Sequence, residues 1–316
     1  MLSVIGEKEM NTLHLKYIIE VEKTGSISKA AENLYMNQPR LSKTIRELEE
    51  SLGISIFKRS SKGVVPTTVG AEFIMDAKGI IAQLERLETT YNPKKSEMVT
   101  LDVATPRCEY IGEAFSLFLK KIKNESKEKI TFRETNTMRS IKNVATGENN
   151  LGIIKYNTAY EQYFTQMLEE RELQYETLWE YDELIAVSAE SRLAELSLVE
   201  ESHLKGMTQI LFGDNIMHYG RSARSVKTAR EADNMHHIFV YEREGVKNAL
   251  LGDECAYARI TPPPKGHYEE NKFSIIPLKS EDSKYRDVLF YRKDYRKSDT
   301  DLIFIQTLRD VIATLQ

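Results

Sequence analysis

Between Asn37 and Leu48 the chain sets Gln38, Arg40, Ser42, Lys43 and Arg46 around an apolar group, Leu41, Ile45 and Leu48. Apolar residues four and three apart mark the buried face of a helix, so the polar set lies outside. A glutamine amide holds a donor and an acceptor side by side, the pair that bonds adenine in a major groove. An arginine fork does the same for the O6 and N7 of guanine. On this reading Gln38 and Arg40 reach base edges, while Lys43 and Arg46 most simply reach phosphates. Asn37 is a good cap, and Pro39 falls in the first turn, where its missing N–H costs nothing.

Such a helix needs a frame. Thr12 is a candidate cap for a first helix to about Glu22, with Leu15, Ile18, Ile19 and Val21 apolar, and Thr24-Gly25 ends it. Ser26 opens a second short helix with Ala30, Ala31 and Leu34 inside. Tyr35-Met36-Asn37 then turns into the third, which ends near Leu52-Gly53. This order makes a helix-turn-helix. Ser26 and Ser28 start the second helix, where exposed N–H groups favour a phosphate. Ile54, Ile56 and Phe57, the polar run Lys58 to Gly63, and Val64-Val65 predict a β-hairpin with a basic loop. Pro66 fits its edge, and Arg59 and Lys62 suit phosphate or minor-groove contact. Thr67 can cap a long helix from Thr68 to about Tyr91. Its Phe73, Ala77, Ile80, Leu84, Leu87 and Tyr91 are spaced 4, 3, 4, 3, 4, a heptad seam. A core helix of the next domain would show the same stripe. Asn92-Pro93-Lys94-Lys95, which then breaks the chain, favours a dimer helix.

Residues 12–91 resemble the LysR-type transcriptional regulators. The resemblance is carried by Leu15 and Ile18, Gly25-Ser26-Ile27-Ser28-Lys29-Ala30-Ala31, Leu34, Gln38-Pro39-Arg40-Leu41-Ser42, Ile45, Leu48-Glu49, Leu52-Gly53, Phe57, Arg59, Thr67 and Gly70. Asn37 stands where the family commonly has serine, and Pro66 where it has leucine. The resemblance implies a winged helix-turn-helix over 10–67, a linker and dimerisation helix over 68–95, and an effector-binding domain over 96–316. That domain would hold two Rossmann-like α/β subdomains of periplasmic-binding-protein type, one about 96–161 with 271–316, the other about 162–270. It further implies double-stranded DNA, a small-molecule effector such as a small organic acid, a homodimer through 68–91 building a tetramer, and RNA polymerase as a further partner, all in the cytoplasm.

From Val99 onward the pattern itself alternates strands and helices, which gives an α/β fold with a largely parallel sheet. Strands are expected at Val99–Ala104, Ile130–Glu134, Leu151–Tyr156, Glu183–Val187, Gln209–Phe212, His237–Tyr241, Phe273–Pro277 and Asp287–Tyr291, with a last helix from Leu302 to Leu315. Ligands of such sheets bind beyond the carboxyl ends of strands. Thr105, Pro106 and Arg107 follow the first strand, and Thr137 follows the second. Phe212, Gly213 and Asp214 end a later one, and Arg243 follows another. Thr105 and Thr137 are read as caps of the following helices, whose N-termini attract anions. Cys108, in a first turn beside Arg107, invites a lowered thiol pKa and a redox-responsive or effector-independent regulator as the alternative. Cys255, in a segment resembling a buried helix, reads as an independent thiol. The run Thr261-Pro262-Pro263-Pro264-Lys265-Gly266 reads as a rigid surface loop.

Composition bounds the rest. The 316 residues allow about two domains. The net charge of −4 hides an asymmetry: residues 1–95 carry 14 basic and 12 acidic residues, the remaining 221 carry 30 and 36. Two cysteines exclude a disulfide scaffold. No apolar run is long enough for a transmembrane helix, and the first residues lack a secretory pattern. His14, His203, His218, His236, His237 and His267 form no metal spacing, and no nucleophile elbow, phosphate loop or dinucleotide fingerprint is present. The sequence therefore predicts neither a metal nor a cofactor nor an enzyme. The stripe Arg221, Arg224, Lys227, Arg230 reads as a solvated helix face.

Overall fold

The computed structural model describes residues 10–60, 63–91, 99–123, 128–214, 236–281 and 283–316. It divides into two compact units, Met1–Glu97 with Thr146–Glu148, and Met98–Ala145 with Asn149–Gln316.

In the first unit α1 (Thr12–Thr24) is capped by Asn11, one residue before the expected Thr12; its Oδ1 accepts from the amides of Leu13 and His14 at 3.0 and 3.1 Å. Ser26 caps α2 (Ile27–Asn33). Tyr35 makes the turn in the left-handed region at φ 53°. Asn37 caps α3 (Gln38–Leu52), accepting from the Arg40 amide at 3.0 Å, with Pro39 in the first turn.

The wing is an antiparallel pair, β1 (Phe57–Ser60) and β2 (Gly63–Pro66), in register from Phe57↔Pro66 to Ser60↔Gly63. Lys58 and Arg59, expected in the loop, are thus strand residues. The strand starts late because the amides of Ile56 and Phe57 are held by Glu49 Oε1, at 2.7 and 3.0 Å. Gly63, at φ 108°, passes so close to α1 that a Cβ would lie 2.6 Å from the Gly25 carbonyl oxygen.

Thr67 caps α4 (Thr68–Tyr91), its hydroxyl accepting from the Gly70 amide at 2.9 Å. Ile18, Val21, Ala30, Ala31, Leu41, Ile45, Leu48, Ile56 and Ile74 form the core, with Phe73 against it. The heptad stripe of α4 therefore splits. Ala77 is buried, whereas Ile80 and Leu87 are 44% and 51% exposed.

The second unit holds two mixed sheets rather than one largely parallel sheet. The first has order β4-β3-β5-β13-β6 and is built from β3 (Val99–Thr105), β4 (Glu128–Glu134), β5 (Leu151–Asn157), β6 (Leu173–Asp182) and β13 (Lys284–Arg292). Strand β3 runs parallel to β4 and β5, and β13 is antiparallel to β5 and β6. On one face α5 (Glu109–Ile122) and α9 (Asp299–Ala313) pack Tyr110, Ile111, Phe118, Phe304 and Leu308 onto Leu101, Val103, Trp179 and Leu289. On the other, α6 (Thr137–Ala145) and α7 (Glu161–Glu170) bring Ile141, Val144, Phe164 and Leu168 against Ile154, Val288 and Phe290.

The second sheet, in order β10-β9-β11-β7-β12-β8, uses β7 (Leu184–Ser188), β8 (Val199–Glu200), β9 (Thr208–Phe212), β10 (His236–Val240), β11 (Ala256–Ile260) and β12 (Phe273–Lys279), with α8 (Arg243–Gly252) on one face. The chain passes between the sheets at Glu183 and again between Lys279 and Lys284. The expected subdomain limits at 161/162 and 270/271 are corrected accordingly. Residues 173–182 pair in the first sheet, antiparallel to β13, and 273–279 in the second, antiparallel to β7. Cys255 is exposed and precedes β11, so the expected buried helix there is a turn and a strand.

Candidate functional sites

The outer face of α3 presents Gln38, Pro39, Arg40, Lys43 and Arg46 exposed, with Ser42 half-buried. Ser28 is exposed on α2. Ser26 is half-buried, its hydroxyl accepting the Lys29 amide at 3.4 Å while its O–H remains free to donate. Lys43 has Glu47 at 3.7 Å, an exposed pair that water and salt largely screen. Arg59 lies on β1, but its side chain, and Lys62 altogether, fall outside the described residues, as does the Arg221–Arg230 stripe. The sequence reading missed the role of Glu49. From the inner side of α3 its carboxylate bonds the two amides that begin the wing, tying the helix to the hairpin.

In the second unit a cavity of about 410 Å³ lies where the chain crosses between sheets. Its lining includes the predicted Pro106, Arg107, Thr137, Phe212 and Arg243. The other three predicted residues stand behind them. Thr105 is fully buried at the end of β3, with no hydrogen-bond partner for its hydroxyl, and so caps nothing. Gly213 lies under Tyr241, where a Cβ would come 2.7 Å from the ring. Asp214 grips Arg107, both guanidinium nitrogens reaching its two oxygens at 2.9 Å. Burial raises the Asp214 carboxyl, but these bonds outweigh it and hold the group below its ordinary value. Arg107 also lies 5.0 Å above the Phe212 ring. Thr137 is the first residue of α6, not its cap: Asn136 accepts the Arg139 amide at 2.9 Å, and the Thr137 hydroxyl donates to the Lys155 carbonyl at 3.1 Å. Arg243 pairs with Glu134 at 2.9 Å.

Several lining residues were not foreseen. Lys155 lies 3.3 Å from Glu183 Oε1 and donates to the Thr261 hydroxyl at 3.3 Å. That hydroxyl also meets Cys108 Sγ at 3.4 Å and the Tyr181 hydroxyl at 3.2 Å. Tyr181 and Tyr110 then donate to the two oxygens of fully buried Asp287, at 2.9 and 2.6 Å. Thr261, placed by the sequence reading on a surface loop, is a buried hub. A charged residue at the edge of an apolar run, Lys155 after Ile153-Ile154 in β5 and Asp287 before Val288-Leu289-Phe290 in β13, was the signal available for this network.

The network bears on the alternative reading of Cys108 as a reactive thiol. Cys108 is 1% exposed, and burial, then the nearby Asp287 charge, push its thiol up to about 12. A helix N-terminus lowers a thiol pKa only when the thiolate is not forced into an apolar, anion-facing setting.

Residues 13–71 match the family model described as bacterial regulatory helix-turn-helix protein, lysR family. The chain is 29% identical over 151 residues to the HTH-type transcriptional regulator AlsR of Bacillus subtilis, covering 46% of this chain and 48% of AlsR. It is 36% identical over 72 residues to the regulator ClcR of Pseudomonas putida, 23% of this chain and 24% of ClcR. The matched region thus spans about half, or less, of these relatives' length. A full-length OxyR from Pseudomonas aeruginosa superposes with TM-score 0.64 over 98% of this chain and 99% of its own, at 18% identity. Full-length CbnR in complex with its target DNA gives 0.59 over 96% and 100%, at 13% identity. These two likenesses establish the fold.

Proposed function

We infer, from a chain whose residues 13–71 make it a lysR-family helix-turn-helix protein, that it is a sequence-specific DNA-binding regulator of transcription acting in the cytoplasm. The observation that carries this reading is the division of α3 into a buried face, Leu41, Ile45 and Leu48, and an exposed face, Gln38, Arg40, Lys43 and Arg46. Base-reading and phosphate-reading side chains stand on the face that a major groove admits.

One such head binds weakly, and the exposed Ile80 and Leu87 of α4 are the apolar surface through which a second copy would pair. Two-fold symmetry then places two heads on paired half-sites of one DNA face. Assembly to a tetramer and contact with RNA polymerase belong to the same proposal. The cavity at the sheet crossover is the site for a small-molecule effector, with Thr105, Pro106, Arg107, Thr137, Phe212, Gly213, Asp214 and Arg243 in or behind its wall. A ligand that binds one arrangement of the two sheets better than another shifts the population between them. The redox alternative is the less favoured reading at Cys108, which is buried with its thiol pushed up to about 12, while Cys255 is exposed.

The test is selection of bound sequences from random duplex DNA by the full chain, followed by titration at fixed salt. Arg40→Ala is expected to cost about 1–3 kcal/mol and to relax preference at one base position. An equal loss on every sequence would make Arg40 a phosphate contact. No enrichment of any sequence would refute the function.

A further inference from the structure

The cations around the cavity are already matched. Arg107 is held by Asp214 at 2.9 Å, Lys155 by Glu183 at 3.3 Å, Arg243 by Glu134 at 2.9 Å and Arg259 by Glu201 at 2.8 Å. Glu109 joins Glu183 in the wall, Asp214, Glu134 and Glu201 pair with the cations from outside the lining, and Asp287 accepts from the Tyr110 hydroxyl. Among the described residues, each of these four cations therefore has a carboxylate of its own, and Glu109 makes a fifth before Asp287 is counted. An organic anion entering here would meet no unmatched positive charge. It would add a further negative charge to a confined site whose cations are already neutralised.

The unsatisfied atoms show what is missing. Glu183 is 3% exposed and lines the cavity, yet only its Oε1 is engaged; Oε2 has no hydrogen-bond partner. A buried acceptor left unmade is costly, so the site is built for a donor at that point. On the donor side, Arg107 Nε and Arg259 Nε also lack partners, and both residues line the cavity. One bare carboxylate oxygen and two bare guanidinium N–H groups ask for a ligand with a donating cation at one end and an acceptor at the other. A volume of about 410 Å³ suits a small molecule of that kind.

We propose that the cavity takes a small zwitterion of the free amino-acid class, its ammonium on Glu183 and its carboxylate on the Nε–H groups of Arg107 or Arg259. The proposal rests on the reading of this cavity as the effector site. Glu183 sits at the first crossover between the sheets, so a ligand bonded to it engages the joint about which closure would occur.

The test is calorimetric titration of the full chain with the free L-amino acids, each matched with the carboxylic acid in which hydrogen replaces the ammonium. At least one amino acid should bind, and its deaminated partner should bind at least about tenfold more weakly. Glu183→Gln should weaken the amino acid at least about tenfold and leave the deaminated acid unchanged. Deaminated acids that bind as tightly as their amino acids, or a panel in which no amino acid binds, would overturn the proposal. Comparing ligands on the unmodified chain keeps the test valid whatever Glu183→Gln does to folding. If an acid binds and Thr261→Val or Arg243→Gln weakens it, the cavity stands and only the ligand class is wrong. If an amino acid binds and Glu183→Gln, Thr261→Val and Arg243→Gln all leave it unchanged, the cavity is not the site. The DNA selection above reports separately on the regulatory reading.

Discussion

Removing the Glu49 carboxylate tests how the wing is held. Its Oε1 accepts from Ile56 N at 2.7 Å and from Phe57 N at 3.0 Å in a half-buried position. Hydrogen bonds to a charged group contribute about 1.5–3 kcal/mol each, and water reaches part of this site, so Glu49→Ala should cost about 3 kcal/mol in all. Glu49→Gln keeps an acceptor oxygen without its charge and should lose about half of that. Urea unfolding of the full chain measures the loss, and hydrogen exchange at the Ile56 and Phe57 amides locates it. Both amides should lose protection while those of Leu41 and Ile45 keep theirs. If the wing residues Arg59 and Lys62 contact phosphates, DNA affinity should fall by a similar factor on every sequence; a loss confined to some sequences would point to minor-groove contact instead. A stability loss under about 0.5 kcal/mol with unchanged exchange at the two amides would refute the reasoning, since surface changes away from such features fall in that range.

The two thiols should differ sharply. With Cys108 pushed up to about 12, its thiolate fraction at pH 8 is about one in ten thousand, so a water-soluble thiol reagent should label only Cys255 quickly. Fast labelling of Cys255→Ser in the folded state would contradict the burial of Cys108. Gly70→Ala would drive a Cβ to 1.9 Å from the Ile56 carbonyl oxygen, and displacing α4 should cost about 3 kcal/mol in thermal unfolding. A loss under about 1 kcal/mol would show that α4 slides freely. Leu84→Glu places a charge in the heptad stripe beside exposed Ile80 and Leu87, and sedimentation should show a smaller species than the parent. An unchanged sedimentation profile would mean that the stripe packs elsewhere.

The helix-turn-helix was legible because its information is local. Ser26 and Asn37 as caps, Pro39 in a first turn, Gly25 and Gly53 as helix ends, and the spacing of Leu41, Ile45 and Leu48 each act within a few residues, and each is found in the structure. The exposed face of α3 follows from the same periodicity. Much of the order of strands and helices from Val99 onward was legible for the same reason, but β6, β8 and β11 were not read as strands. In β6, however, local alternation misleads. Its register against β13 shifts between Asp287 and Val288, an irregularity that leaves Leu178 without a register partner. Leu173 accordingly packs in the core beside α6 and α7, while Trp179 and Tyr181, in the same odd-numbered series, pack in the core beside α5 and α9. A bulge turns a strand over, and nothing in the alternation of residue types announces it.

The cavity shows the same limit in its chemistry. Strand ends pointed to Arg107, Thr137, Phe212 and Arg243, because ligand sites lie beyond the carboxyl ends of strands. The partners that decide their charge were invisible: Asp214 is 107 residues from Arg107, and Thr261 is 153 from Cys108. Residue type and spacing determine where a helix starts, which face it buries and what a side chain is able to bond. Whether Arg107 offers a free positive charge, or Cys108 a thiolate, depends on groups brought together only when the two sheets form, and that the tertiary structure alone decided.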